Sequence, residues 1–166
     1  AMNQKNLRLV NPLHFPSAEA SARAAGADDI LASCKQFSSL EEAIKDCDLV
    51  IGTSARIRGI PWPMIPPREC AKKIFEKNYS SIAIIFGRES SGLSNEELQL
   101  CNLVLKIPTS SEYASLNLAA AVQIICYEIY LRICDIDTIE YKKSSLAFIN
   151  QEKMEQFYEH LEASFI

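Results

Sequence analysis

Short apolar runs separated by amphipathic stretches organise most of the chain. Residues 7–10, 29–32, 49–53, 82–86 and 104–107 are β-branched or leucine-rich runs of strand length, with helical patterns between them. That alternation predicts an α/β fold with a mostly parallel sheet flanked by helices. The run Ile82, Ala83, Ile84, Ile85, Phe86 is apolar at every position, as expected of a strand covered by helices on both faces. Ser38 and Ser39 precede Glu41 and Glu42, and Ser94 precedes Glu97; this is capping-box spacing, in which a hydroxyl and a carboxylate satisfy the first free N–H groups of a helix. The longest helix is predicted from near Ser115, as its N-cap, to about Ile133, with small residues at Ala119, Ala120 and Ala121. Its apolar content is nearly all-round, so it is expected to be buried.

After Arg132 the pattern stops. The predicted division is a main domain over residues 1–134, a polar linker over 135–150 and a helical extension over 151–166. In that extension Met154, Phe157, Tyr158 and Leu161 share one face at helical spacing, on a helix running from about Gln151 to Ser164.

Composition narrows the classes. With 48% hydrophobic residues among 166, the chain is long enough for one sizeable core. A formal charge of -4 gives no overall attraction for a polyanion, so any nucleic-acid contact must come from a local patch. The six cysteines form no CxxC and no Cys/His cluster, which predicts reduced thiols and no metal. No apolar run has transmembrane length and the first residues lack a signal-peptide pattern, so a cytoplasmic protein without a membrane partner is expected.

Candidate chemistry lies where ligands collect in open α/β sheets, beyond the carboxyl ends of the strands. The first loop there, residues 52–59, has small residues that let a ligand approach the backbone, and Arg56 and Arg58 suit phosphate contact; an ordinary strand exit with solvated arginines has the same pattern. The second, residues 86–94, sets Arg88 and Glu89 between Gly87 and Gly92 and predicts a sharp bend with a guanidinium and a carboxylate held together. A turn stapled by its own ion pair would look alike. The third, residues 107–117, is hydroxyl-rich and ends at the predicted start of the long helix, where free N–H groups favour an anionic or polar ligand. Ser115 as a simple cap accounts for it equally well.

Taken together and in order, Ile85-Phe86-Gly87-Arg88-Glu89-Ser90-Ser91-Gly92-Leu93, then Ile107-Pro108, and Ser115-Leu116-Asn117-Leu118-Ala119-Ala120-Ala121-Val122-Gln123 resemble the signature motifs of the SpoU-type branch of the SPOUT methyltransferases. Within that branch the chain is most similar to the tRNA (cytidine/uridine-2′-O-)-methyltransferases that modify nucleotide 32 of the anticodon loop. The segments carrying that closer likeness are Leu9-Val10-Asn11-Pro12, Gly52-Thr53-Ser54-Ala55-Arg56, Pro61-Trp62-Pro63-Met64, Asn95-Glu96-Glu97-Leu98-Gln99 and the tail Phe157-Tyr158-Glu159-His160-Leu161.

The resemblance implies a sheet whose C-terminal part forms a deep trefoil knot, a homodimer, tRNA as partner and S-adenosylmethionine as cofactor. Carried across residue by residue, it implies cofactor contacts at Thr53, Ser54, Ala55, Gly87, Ile107, Ser115 and Leu116, and a catalytic orienting role for Ser115. Arg56, Arg58 and Arg88 become the candidates for RNA contact, with Glu89 and Asn117 in support. The family's first motif, which supplies an arginine for the ribose hydroxyl, has no match in this sequence, and Arg23 does not take its place because it follows the first strand. Two alternatives stand beside tRNA methylation. One is 2′-O-methylation of ribosomal RNA, since the cofactor motifs do not specify the RNA; the other is a non-catalytic RNA-binding or dimerisation module.

Overall fold

The computed structural model describes residues 2–55, 63–112, 114–134 and 151–164. The chain divides into two compact units, Ala1–Ile136 and Asp137–Ile166. In the first, β1 (Arg8–Val10), α1 (Ala18–Arg23), α2 (Asp28–Ala32), β2 (Lys35–Phe37), α3 (Leu40–Ile44) and β3 (Leu49–Thr53) are followed by β4 (Met64–Ile65), α4 (Pro67–Glu76), β5 (Ile82–Ile85), α5 (Asn95–Gln99), β6 (Leu103–Leu105) and α6 (Leu118–Ile133). In the second, the described element is α7 (Gln151–Ser164), the helix expected from the spacing of Met154, Phe157, Tyr158 and Leu161. Among the described residues, no helix is long and apolar enough to cross a membrane.

The α/β architecture with parallel strands is as predicted, but the strands form two sheets. One pairs β1 with β2; the other has the order β4-β6-β3-β5, and every pairing in both is parallel. The central strand β3 explains the apolar runs. Leu49 and Ile51 face a core containing Cys70 and Ala71 of α4, Leu105 of β6, and Ile125 and Ile129 of α6. On the opposite face α5 and the turn after it press so closely on β3 that a Cβ added to Gly52 would meet Cys101 Sγ at 2.8 Å and Leu98 Cδ2 at 3.0 Å. Alternating residues of a strand point to opposite faces, so a strand enclosed on both sides is apolar throughout. Polar groups close the start of β3: Asn102 Oδ1 accepts from Val50 N at 2.8 Å, and Asp48 Oδ2 accepts from Ser80 N at 2.6 Å and Ser81 N at 3.2 Å.

Three expectations are corrected. Residues 29–32, read as a strand, belong to α2, whose first turn carries Asp28 and Asp29 where carboxylates suit the helix dipole. The strand after it is β2, Lys35–Phe37, which lacks an apolar run because Lys35 and Gln36 are exposed. The long helix starts at Leu118, capped by Asn117, whose side chain accepts from Ala120 N at 2.7 Å, and not by Ser115. Nor is that helix buried all round. Ile125 and Ile129 are buried, whereas Tyr127 is 46% and Ile133 47% exposed, so its apolar sequence covers one inward face and one open face.

The capping signals hold at Ser39 and Ser94, whereas Ser38 donates to Glu42 Oε2 at 2.9 Å and does not pair with Glu41 as a second box. Ser39 Oγ accepts from Glu42 N at 3.2 Å, and Ser94 and Glu97 form a reciprocal capping box.

Candidate functional site

Because β5, β3 and β6 are adjacent and parallel, their carboxyl ends lie together, with Gly52 beside Ile85 and Thr53 beside Leu105. The chain leaving β3 is tied to both neighbours: Thr53 Oγ1 donates to Ile85 O at 2.9 Å and Ser54 N donates to Leu105 O at 3.0 Å. The three loops singled out in the sequence therefore open from one edge.

A cleft of about 150 Å³ lies between them. It is lined by Thr53, Ser54 and Ala55 from the first loop, by Gly87 and its successors from the second, and by Ile107, Ser115 and Leu116 from the third. Those are the seven positions to which the resemblance assigns cofactor contact; Arg88 and Glu89 line the cleft as well. Asn117 stands just behind it as the cap of α6. Arg56 and Arg58 lie outside the described residues.

The second loop is held by close backbone packing and by two carboxylates. A Cβ at Gly87 would lie 2.1 Å from the Gly92 carbonyl carbon and 2.2 Å from Leu93 N, so no other residue fits without moving backbone. Gly92 has φ +70°, a conformation glycine adopts without steric penalty. Across this neck Arg88 N donates to Gly92 O at 3.3 Å and Gly92 N to Arg88 O at 2.8 Å.

The predicted pairing of Arg88 with Glu89 is corrected. Arg88 makes a two-pronged contact with Glu97, Nη1 to Oε2 at 3.2 Å and Nη2 to Oε1 at 3.0 Å. Glu89 instead accepts from Leu118 N, at 2.9 Å and 3.2 Å to its two oxygens. There it satisfies a free N–H at the start of α6 and meets the positive end of the helix dipole. Neighbouring residues thus tie the loop in two directions, Arg88 to α5 and Glu89 to α6. Burial pushes the Glu97 carboxyl up, but the Ser94 N–H and the Arg88 guanidinium outweigh it and leave its pKa below the ordinary value.

Sequence reasoning did not single out Glu97 beyond its capping role; the missing signal is the approach of Arg88 from nine residues earlier. It also did not assign Thr109, a cleft-lining residue whose Oγ1 donates to Ala114 O at 3.1 Å and closes the third loop on itself.

The donor set suits a sulfonium nucleoside such as S-adenosylmethionine. Leu93, Leu105, Ile107, Leu116 and Ile125 offer apolar contact for a base, while loop backbone, hydroxyls and the Glu89 carboxylate supply polar groups for a ribose and an amino-acid tail.

Comparison with known proteins gives consistent matches. The model of the SpoU rRNA Methylase family matches residues 1–127. The chain is 47% identical over 163 residues to the tRNA (cytidine/uridine-2′-O-)-methyltransferase TrmJ of Photorhabdus laumondii, a match covering 97% of this chain and 68% of the relative. Among solved structures, a probable methylase family protein from Haemophilus influenzae Rd KW20 superposes with a TM-score of 0.77 at 38% identity, covering 98% of this chain and 67% of that one. TrmJ from Z. mobilis ZM4 gives 0.75 at 31% identity, covering 98% and 68%. The chain thus spans about two thirds of the length of these relatives.

Proposed function

This chain belongs to the SpoU methylase family, and from that premise we propose that it takes part in transferring a methyl group from S-adenosylmethionine to the 2′-hydroxyl of a tRNA ribose, at nucleotide 32 of the anticodon loop. The observation that carries this reading is the convergence of Thr53, Ser54, Ala55, Gly87, Ile107, Ser115 and Leu116 on one cleft, although they come from three loops far apart in sequence.

S-adenosylmethionine supplies the methyl group and a good leaving group when bound. The chain's own task is then to hold two reactants in line and to help a hydroxyl lose its proton, since orientation alone lowers such barriers substantially. The loop after β3, fixed through Thr53 and Ser54, forms one wall of the cofactor site. The pinched neck at Gly87 fixes the path of the second loop along the cleft. Ser115, exposed on the third loop, is assigned to orient the ribose and cofactor in the reacting geometry. Glu89 and Asn117 support that loop by fixing the first turn of α6.

Arg56 and Arg58 are assigned to RNA contact, since guanidinium groups position phosphates without reading sequence; Arg88, whose guanidinium is engaged by Glu97, is assigned to the shape of the second loop instead. The reading includes a cytoplasmic homodimer with the family's knotted topology; Tyr127 and Ile133 on α6 offer exposed apolar surface for a second copy.

The test is transfer of radiolabelled methyl from S-adenosylmethionine to unmodified tRNA, with the modified nucleotide mapped and cofactor binding followed in parallel by equilibrium dialysis. Label on the ribose of nucleotide 32 is expected. Bound cofactor with label appearing on ribosomal RNA would replace the tRNA assignment, and bound cofactor with no transfer to either RNA would favour a binding module.

A further inference from the structure

The loop over residues 87–94 contributes a large share of the cleft, yet its base is closed by a residue outside it. Glu97, on the first turn of α5, receives both ends of the loop on one carboxylate. Its Oε2 accepts from Ser94 N at 2.7 Å and from Arg88 Nη1 at 3.2 Å, while Oε1 accepts from Arg88 Nη2 at 3.0 Å. Ser94 Oγ returns a contact by accepting from Glu97 N at 3.2 Å. A planar guanidinium and a carboxylate meeting through two parallel bonds fix direction as well as distance.

We propose that Glu97 is a positioning residue for methyl transfer: by clasping Arg88 and Ser94 together it sets the shape of the 87–94 loop and so the affinity of the cleft for S-adenosylmethionine. The proposal rests on the cofactor reading above. Arg88 acts here through Glu97 and the loop, and this role differs from that of an RNA ligand.

Three features make the clasp a determinant of the cleft rather than a surface ornament. The neck has no slack, because Gly87 already lies against the backbone of Gly92 and Leu93. Leu93, between the neck and the clasp, is 4% exposed and packs with Leu98 and Val104, so a change in the loop's path is felt in the small core beneath it. The Glu97 side chain is 22% exposed whereas Arg88 is 65% exposed, so the carboxylate is the fixed partner and the arginine is drawn in to it. The hydrogen bonds from Ser94 and Arg88 also favour the ionised form of this carboxylate.

The experiment measures binding of radiolabelled S-adenosylmethionine by equilibrium dialysis, and of unmodified tRNA separately, for the unaltered chain, Arg88→Met, Glu97→Gln, the double variant and Arg88→Lys. Glu97→Gln keeps an acceptor for Ser94 N and removes the charge that holds Arg88, so the cap is preserved while the fork is weakened. Each single variant is expected to raise the cofactor dissociation constant roughly threefold to tenfold, the size suited to a partly exposed but two-pronged ion pair. The double variant is expected to be no worse than the weaker single one, as for two groups acting through one interaction, with Arg88→Lys recovering part of the loss. Affinity for tRNA stays within about twofold throughout, and thermal melts report whether each variant remains folded.

Unchanged cofactor binding in both single variants would overturn the proposal. So would a loss of tRNA affinity in Arg88→Met that Glu97→Gln does not share, since that marks Arg88 as an RNA ligand. Failure of the unaltered chain to bind the cofactor is a separate outcome that removes the cofactor reading itself.

Discussion

The two sheets of this protein are built from the same pairing geometry but held by different forces. In the four-stranded sheet, Leu49, Val50 and Ile51 of β3 are at most 6% exposed, and helices close both faces. In the β1–β2 sheet no strand residue is buried. There one arginine does much of the fastening: Arg8 donates to Ala43 O, forms a two-pronged contact with Asp46 at 2.5 Å and 2.8 Å, and lies 5.7 Å from the centre of the Phe37 ring. Apolar burial fixes the sheet that must present three loops in register. The sheet that does not line the cleft is left to a polar clasp, a weaker fastening, because exposed ion pairs contribute little and are easily rearranged.

The sharpest way to break this comparison is Ile51→Ala. Ile51 is fully buried, and truncation is expected to cost about 2–5 kcal/mol in chemical denaturation, by lost transfer energy and by the cavity left. A cost below about 1 kcal/mol would mean that the central sheet is not held by its core.

Next in size is Gly87→Ala, which tests whether the buried sheet delivers a rigid loop. The added methyl meets backbone at 2.1 Å, so the neck must open, at a strain of roughly 1–3 kcal/mol. Cofactor binding should fall about tenfold or more in dialysis while the core, seen by near-ultraviolet dichroism, persists. Unaltered binding would show the neck to be compliant.

The smallest effect is expected from Arg8→Met, and it carries a pH signature. The Arg8 guanidinium holds the Asp46 carboxyl down, from its ordinary 3.8 to about 2. A depressed folded-state pKa gives stability that is complete above the ordinary value and is lost as pH falls through the folded one. The difference in melting temperature between the unaltered chain and Arg8→Met should therefore be constant from neutrality to about pH 4 and close towards pH 2. A gap that persists at pH 2 would assign the effect to the Arg8 hydrogen bond to Ala43 O and to the guanidinium over the Phe37 ring instead.

The same contrast explains which parts of the fold could be foreseen. Strand β3 announces itself because two buried faces demand apolar residues at every position; β5, equally apolar in sequence, lies at the sheet edge with every residue half-buried, so its run overstated the cover. β2 did not announce itself, since Lys35 and Gln36 face solvent and leave no periodic trace; residues 29–32, apolar at Ile30 and Leu31, were the more attractive strand although Asp28 and Asp29 mark a helix start. The capping box at Ser94 and Glu97 was legible because both partners lie within one helical turn. The Arg88–Glu97 fork was hidden, because which carboxylate an arginine selects depends on the path of the loop between them, and adjacent Glu89 was the nearer choice along the chain.

By itself the sequence determined an α/β architecture, the positions of three glycine- or hydroxyl-rich loops after buried strands, and the order of motifs that marks the methylase family. Each of these is set by local spacing, by solvent exclusion or by short-range capping, which act along a few residues at a time. Only the tertiary structure decided that the strands divide into two sheets, that α6 begins at Leu118 under an Asn117 cap and keeps an open apolar face, and that Arg88 pairs with Glu97 while Glu89 turns to Leu118 N. Those outcomes depend on which distant groups meet once the parallel strands align, and a pairing between groups brought together by the fold leaves no period in the chain.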